Sequence, residues 1–266
     1  MTTPPMKPDI ANINSLSTID FPGKSCMSCK VRRLCLPHDM DDAACAAINR
    51  LVRQRHVLLR GEHPYQANDP VEQRLYAIQS GQFKVYQLSA EGEQTVTGFR
   101  FGGDFLGLES IGLQLRRNSV VALSDAVLCE FSHAQLAGAA LRDAALAPYL
   151  SRLLLTELAT ELSAGLQLSD GNAEQKVAAF LLLLTAANVR RGENGDLLEL
   201  SMTRADIADY LGLAAATVSR TLSRFQELGY LSLRSRQVAV TNRAGLRACA
   251  PMPSAMPAQG RSAWPG

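Results

Sequence analysis

The chain lacks any charge-free run of eighteen or more apolar residues, so no membrane-spanning helix and no membrane partner are expected. Met1 to Ser25 holds no basic stretch leading into an apolar core, so no secretory signal is expected and the protein is expected to be cytoplasmic. It also lacks a Rossmann glycine fingerprint, a flavin signal, a candidate catalytic dyad and an internal repeat, which argues against an enzyme. Charge of one sign is missing too. The 27 basic residues nearly balance the 25 acidic ones, and a net charge of +2 by itself says nothing about nucleic acid. With 266 residues, 47% of them hydrophobic, the chain has enough material for two domains and a buried core.

Six cysteines stand out against this background. In a reducing compartment they favour metal binding or catalysis over disulfides. Cys26, Cys29 and Cys35 lie within ten residues, spaced C-x2-C-x5-C, and Cys129 sits far downstream in the strand-like run Val127 to Phe131. Four thiolates suit zinc or an iron–sulfur cluster. Structural zinc sites usually use two tight pairs, and here the second pair is missing. Cys45 and Cys249 read as ordinary thiols, and His38 as a surface histidine.

The pattern along the chain predicts an α+β protein. Met1 to Ser25 and the tail from Ala250 to Gly266 are expected to be disordered. Asp39 to Val52 reads as a short helix with Ala44, Ile48 and Leu51 on one face. From His56 to Ser132, short β-rich runs alternate with glycine-marked turns: Leu75 to Ser80, Phe83 to Leu88, Thr95 to Phe101, Val120 to Leu123 and Val127 to Phe131. That spacing indicates an antiparallel sandwich or roll. Ala144 to Leu168 reads as a long helix. Leu154, Leu158, Glu161, Gly165 and Leu168 follow alternating steps of four and three, a dimerisation seam; a buried core helix is the other reading. Two facing copies of Glu161 would repel and act as a brake on pairing; a place at the solvated edge is the other reading of Glu161.

Ser169 to Asn172 breaks the pattern and reads as a hinge. Ala173 to Asn188 is an amphipathic helix capped by Asn172. Thr203, with Asp206 three residues on, opens a helix to Leu211. Leu211-Gly212-Leu213 is a tight turn, Ala214 to Leu228 the next helix, and Leu231 to Thr241 a hairpin. Two helices joined by a glycine turn and followed by a basic hairpin make a winged helix-turn-helix. In it Ala215, Ala216, Ser219 and Arg220 face outward, and Val218, Leu222 and Phe225 pack inward. Arg220 suits guanine and Ser219 a base or phosphate. Thr203, Arg204, Arg224, Arg234 and Arg236 suit phosphates. From Gly171 to Ala250 there are ten basic and seven acidic residues, a surplus that favours a dimer doubling its phosphate contacts.

The run Leu200 to Leu213, followed by Thr217-Val218-Ser219-Arg220-Thr221-Leu222-Ser223-Arg224-Phe225, resembles the DNA-binding motif of the CRP/FNR superfamily, closest to its fumarate–nitrate reduction branch. The likeness runs from about Cys26 to Ala248 and takes in Leu75 to Ile78 and Thr97 to Phe99. It implies an N-terminal cyclic-nucleotide-binding-like β-roll sensor (26–143), a dimerisation helix (144–170) and a C-terminal DNA-binding domain (171–249). It also implies a 4Fe–4S cluster held by Cys26, Cys29, Cys35 and Cys129, whose charge Lys30, Arg32 and Arg33 would offset. The function implied is an oxygen-responsive homodimer that binds an inverted repeat in promoter DNA and meets RNA polymerase through loops near Gln82 and Glu91-Gly92. Thr217 joins the DNA-binding set on the same grounds. Two departures stand out. Lys30 follows Cys29 where relatives often have a small residue, and Ala214-Ala215-Ala216 replaces Thr-x-Glu, removing a cap and a base-reading glutamate. Related catabolite activators grip cyclic AMP with an Arg-Ser pair; here that stretch is Arg116-Arg117-Asn118, without the serine.

Overall fold

A computed structural model describes residues 25–36, 42–142, 146–151, 153–155 and 171–250. The chain divides into two compact units between Leu155 and Thr156. Leu158, Glu161, Gly165 and Leu168 of the expected seam, with His38 and both expected disordered ends except Ser25 and Ala250, lie outside the described residues.

In the first unit a 3-10 turn, Cys26–Ser28, leads into α1 (Arg32–Cys35) and then α2 (Asp42–Leu51). Strand β1 (Val52–Leu58) follows α2 without a turn, so the helix stops one residue short of the expected Val52. The remaining strands are β2 (Arg74–Ser80), β3 (Gln82–Leu88), β4 (Gln94–Phe101), β5 (Phe105–Leu106), β6 (Ser119–Ala122) and β7 (Ala126–Ser132). Helix α3 (His133–Arg142) follows, and α4 takes in 146–151 and 153–155. One sheet runs β1-β7-β2-β5 and the other β4-β3-β6, with every pairing antiparallel.

Strand alternation sorts side chains onto two faces of the first sheet. Tyr76, Ile78, Ala126 and Leu128 enter a core shared with Phe83, Val85, Val120 and Ala122 of the second sheet. Leu75, Ala77 and Phe131 point the other way, into a core shared with Cys45, Ile48, Leu136, Leu146 and Tyr149. Cys129 lies on this second face, with Cys26 and Cys35 packed beside it. Its neighbour Glu130 faces away, only 4% exposed, and accepts a hydrogen bond from His56 Nε2 at 2.8 Å. Arg53 and Arg74 stand 3.7 and 4.0 Å from the same carboxylate. Burial works to raise the Glu130 pKa, but the His56 bond and these cations outweigh it and hold the carboxyl below its ordinary value.

The second unit is a winged helix-turn-helix. Helix α5 (Ala173–Arg190) starts at the expected Asn172 cap, reciprocated by Gln175. Strand β8 (Leu197–Glu199) precedes α6 (Arg204–Leu211), where Thr203 and Asp206 form the expected capping box. Gly212 closes α6 in the left-handed region, φ 63°, which allows the tight turn into α7 (Ala215–Glu227). The wing pairs β9 (Leu231–Arg234) with β10 (Gln237–Val240), and β8 adds a third strand that the hairpin pattern did not predict. Helix α8 (Arg243–Cys249) ends the described chain.

Candidate thiol site and nucleic-acid interface

Four of the six cysteines line one cavity: Cys26, Cys29, Cys35 and Cys129. Its wall is completed by apolar groups such as Val31, Leu36, Ile48, Ala77, Phe105 and Phe131, with Arg32, Gln79 and Tyr149 as the polar members. Among the described residues no three His, Cys, Asp or Glu side chains converge closely enough to hold a single metal ion. The thiols share a cavity without meeting at a point.

Three thiols come from the loop and one from the sheet. Cys26 heads a turn capped by Ser25, whose hydroxyl accepts from the Met27 N–H. The Cys26 N–H donates to Asn49 Oδ1 at 3.1 Å, tying the loop to α2. Cys35 ends α1, its Sγ 3.9 Å from the Gly103 carbonyl. Gly103 has φ 95°, and a Cβ there would lie 2.5 Å from the Leu34 side chain, so α1 rests where a larger residue would stand. Cys129 Sγ lies 3.9 Å from Gln79 Oε1.

Burial pushes the Cys26 thiol up to about 11, and the neighbouring Cys129 and Cys45 add to the rise. Burial drives Cys35 well above its ordinary value, and Cys29, Cys129 and Cys26 add to it. Cys129 is raised by burial too, opposed by Arg55. These thiols therefore keep their protons at neutral pH until something compensates the thiolate charge.

Arg55 is the cation that sequence reasoning missed. It sits on β1 directly across from Cys129, lowers the pKa of both Cys26 and Cys129, and donates to Asn49 Oδ1 at 3.4 Å. Of the cations named from sequence, Arg32 lines the cavity and pairs with Asp42 at 3.4 Å, while Lys30 and Arg33 are exposed. Tyr149 was missed as well. From α4 its hydroxyl donates to the Cys35 carbonyl. Of the expected seam only Leu154 is described, and it is 39% exposed.

Arg116 does not present its guanidinium to a ligand. It is 3% exposed and donates to the carbonyls of Arg74 (2.6 Å), Val71 (3.2 Å) and Gly107 (3.5 Å), stacked 4.3 Å over the Tyr65 ring. Asn118 is bonded to Gln87 at 2.9 Å. Cyclic AMP added in millimolar amounts is therefore expected to leave both melting temperature and DNA affinity unchanged. A melting shift of several degrees would contradict this. Gln82 is the first residue of β3, beside the Gly81 turn, and Glu91 and Gly92 are exposed in the β3–β4 turn.

In the second unit Ala215, Ala216, Ser219 and Arg220 are exposed on α7, while Val218, Leu222 and Phe225 are buried, as expected. Ala214 caps α7 without any side-chain bond. Ser219 Oγ donates to the Ala215 carbonyl at 3.0 Å, and Arg220 Nη2 donates to Thr217 Oγ1 at 3.3 Å. Thr203 spends its hydroxyl hydrogen on Asp206 Oδ2 at 2.7 Å. Arg204 is half-buried beside it, and Arg224 pairs with Glu174 at 2.8 Å. Arg234 and Arg236 are exposed at the wing turn. No helix among the described residues is long and apolar enough to cross a membrane.

A β-roll with a cavity on one sheet face, together with a winged helix carrying an outward recognition helix, defines a sensor-regulated DNA-binding protein. Residues 175–249 match the Crp-like helix-turn-helix domain, and residues 55–143 match the cyclic nucleotide-binding domain. The fumarate and nitrate reduction regulatory protein of Salmonella typhimurium is 31% identical over 225 residues, 85% of this chain and 90% of that protein. Its Escherichia coli K12 counterpart is 30% identical over 217 residues, 82% of this chain and 86% of that protein. The structure of FixK2 from Bradyrhizobium japonicum superposes with a TM-score of 0.67 at 29% identity, covering 75% of this chain and 98% of that one. The chain belongs to the CRP/FNR superfamily of transcription regulators, a family of DNA-binding proteins rather than enzymes.

Proposed function

We propose that this regulator senses oxygen through a 4Fe–4S cluster held by Cys26, Cys29, Cys35 and Cys129, and binds an inverted-repeat promoter site as a homodimer when oxygen is absent. The observation that carries the reading is the common cavity of those four thiols. A single tetrahedral ion needs all its thiolates about 2.3 Å from one point. Four thiols spread round a cavity, with no carboxylate or imidazole in its wall, suit a larger all-thiolate group. The names of the relatives at 30–31% identity, fumarate and nitrate reduction regulators, point the same way. When bound, the group would supply oxidation by oxygen as the signal.

The chain's own residues do the rest. Arg55 offsets thiolate charge from the sheet side, and Asn49 fixes the start of the loop. Tyr149 ties the end of α1 to α4, at the start of the 144–170 segment that we assign to dimerisation through Leu154, Leu158, Glu161 and Leu168. Residues 26–143 then form the sensor and 171–249 the DNA-binding domain. In the latter Thr203, Arg204, Thr217, Ser219, Arg220 and Arg224 face DNA, and the Glu91-Gly92 turn meets RNA polymerase.

Three experiments test these assignments. Protein purified without oxygen should absorb visible light through thiolate-to-iron bands, then lose both colour and site-specific binding in air. Colourless protein containing zinc would refute the reading. Tyr149→Phe should keep the colour but lower the anaerobic dimerisation constant about two- to tenfold, the worth of one hydrogen bond, as measured by light scattering. An unchanged constant would remove Tyr149 from the route. Arg220→Ala should weaken site-specific binding by about 1–3 kcal/mol in anisotropy titrations while unspecific binding changes far less. Equal loss on both kinds of DNA would make Arg220 a phosphate contact instead.

A further inference from the structure

The connection from β1 to β2, residues 59–73, is laced to β6 and to the loop before it. The Gly61 N–H donates to the Ala122 carbonyl at 2.8 Å, the Ala122 N–H to Glu62 at 2.9 Å and the Val120 N–H to Tyr65 at 3.1 Å. Further on, the Asn68 N–H donates to the Arg116 carbonyl at 2.9 Å and the Arg116 N–H to Asp69 at 2.8 Å. These are backbone bonds, so they hold the connection whatever side chain stands at 65.

What they place there is a tyrosine, 2% exposed, in the core between the two sheets. Its ring lies nearly parallel to that of Tyr76, with centroids 6.2 Å and planes 22° apart. The Arg116 guanidinium lies 4.3 Å from its centroid, a cation over a ring face. The Tyr65 hydroxyl donates to Glu109 Oε1 at 3.2 Å, and Ser110 Oγ donates to the same oxygen at 3.1 Å. Burial first, and the Glu109 carboxylate second, raise the Tyr65 pKa well above its ordinary value, so the hydroxyl stays a donor. Glu109 is exposed, so the hydroxyl end of the ring reaches the rim of the roll.

An apolar slot with a cation over one ring face and an acceptor at its mouth has the make-up of a small-molecule site. Here its groups are answered from within. Arg116 Nε has no hydrogen-bond partner among the described residues, and the guanidinium is covered by the Tyr65 ring. Gly107 leaves the room this arginine needs, since a Cβ there would lie 2.5 Å from Arg116 Nη1.

We propose that the β-roll contains a binding site for a phenol and that the chain fills it itself, with Tyr65 as a tethered ligand recognised by Glu109 and Arg116 beside Tyr76. The tether spares the freedom that a diffusing molecule would lose, so the loop carrying Glu109 and Arg116 is fastened with no ligand from outside. The inference does not depend on what the thiol cavity holds.

Tyr65→Ala in the full-length chain empties the slot and leaves the backbone bonds in place. The melting temperature of the first unit should fall by several degrees. Addition of p-cresol, the tyrosine side chain as a free molecule, should return a few of them at about ten times its dissociation constant. Calorimetry should show p-cresol binding to the variant and none to wild type. Toluene offers the same ring without the hydroxyl and should bind the variant about two- to tenfold more weakly. Amide exchange at Ser110 and Arg116 should quicken in the variant and slow again with p-cresol. Tyr65→Phe keeps the ring and should take up no p-cresol. If Tyr65→Ala does not fold alone, p-cresol in the refolding buffer should recover it. A variant that neither binds nor is recovered by p-cresol, or that binds toluene as tightly, overturns the inference and leaves Tyr65 an ordinary core residue. Equal binding by wild type overturns it too, by placing the p-cresol elsewhere.

Discussion

Cys129→Ser will leave protein purified without oxygen colourless and unable to bind its promoter site. The substitution exchanges one sulfur for oxygen in the middle of β7, where the residue pairs with Arg55 and Ala77 and packs on the helix-facing core. A serine fits the space, so the β-roll should still fold and the far-ultraviolet dichroism should match wild type. What is lost is the one thiol that comes from the sheet. Three loop thiols cannot close the four-thiolate set that an iron–sulfur cluster takes. Iron and sulfide per chain should fall to a small fraction of wild type, and specific affinity to the unspecific level. The winged helix is a separate compact unit, so unspecific binding at low salt should survive and report that the protein is intact. A brown protein with full anaerobic affinity would show that Cys129 is no ligand and return the three loop thiols to the zinc reading.

Phe225→Ala should have the largest effect on stability. Phe225 is fully buried on α7, its ring centroid 6.1 Å from that of Tyr230. Leu222 and Val218 lie buried one and two turns before it on the same helix. Truncating a buried phenylalanine typically costs about 3–5 kcal/mol, from lost transfer energy and an unfilled cavity. For a unit of this size that is a fall of more than about 10 °C in melting temperature. The first unit should be spared, so anaerobic colour should persist at temperatures where DNA binding has vanished. A shift of only a few degrees would mean that the helix-turn-helix core repacks around the loss.

Local signals were legible in the sequence because their causes are local. Asn172 and Thr203 announce helix starts through bonds that reach three residues. Gly212 announces a turn through its own φ. The five expected strands lie within a residue or so of their observed bounds because period-two patterning is set by the sheet faces. Strand β1 was less visible: it runs straight on from α2 with no glycine or proline between them, and Arg53, Gln54 and Arg55 hide its alternation. Strand β8 is three residues long and exists through its pairing with β10.

The thiol site was legible as a list of cysteines and not as an environment. Cys129 could be named because cysteines are few, and the family resemblance supplied the set. Arg55, Asn49 and Tyr149 bear on it through contacts set by sheet register and helix packing, which no spacing rule encodes. Arg116 shows the reverse. Its position in the chain invited comparison with a phosphate grip, yet three carbonyls and a tyrosine ring already occupy it.

The ion pair on the far side of β7 bears on folding fidelity. Cys129 and Glu130 are adjacent and have opposite needs, one facing an apolar cavity and the other His56, Arg53 and Arg74. Sliding β7 by one residue would exchange their faces. It would drive a carboxylate into the thiol cavity and leave two arginines facing a sulfhydryl, a misfolded state made costly by an uncompensated buried charge. Glu130 therefore proofreads the strand. A group outside the thiol cavity thus favours the register that puts Cys129 on the same side as Cys26, Cys29 and Cys35.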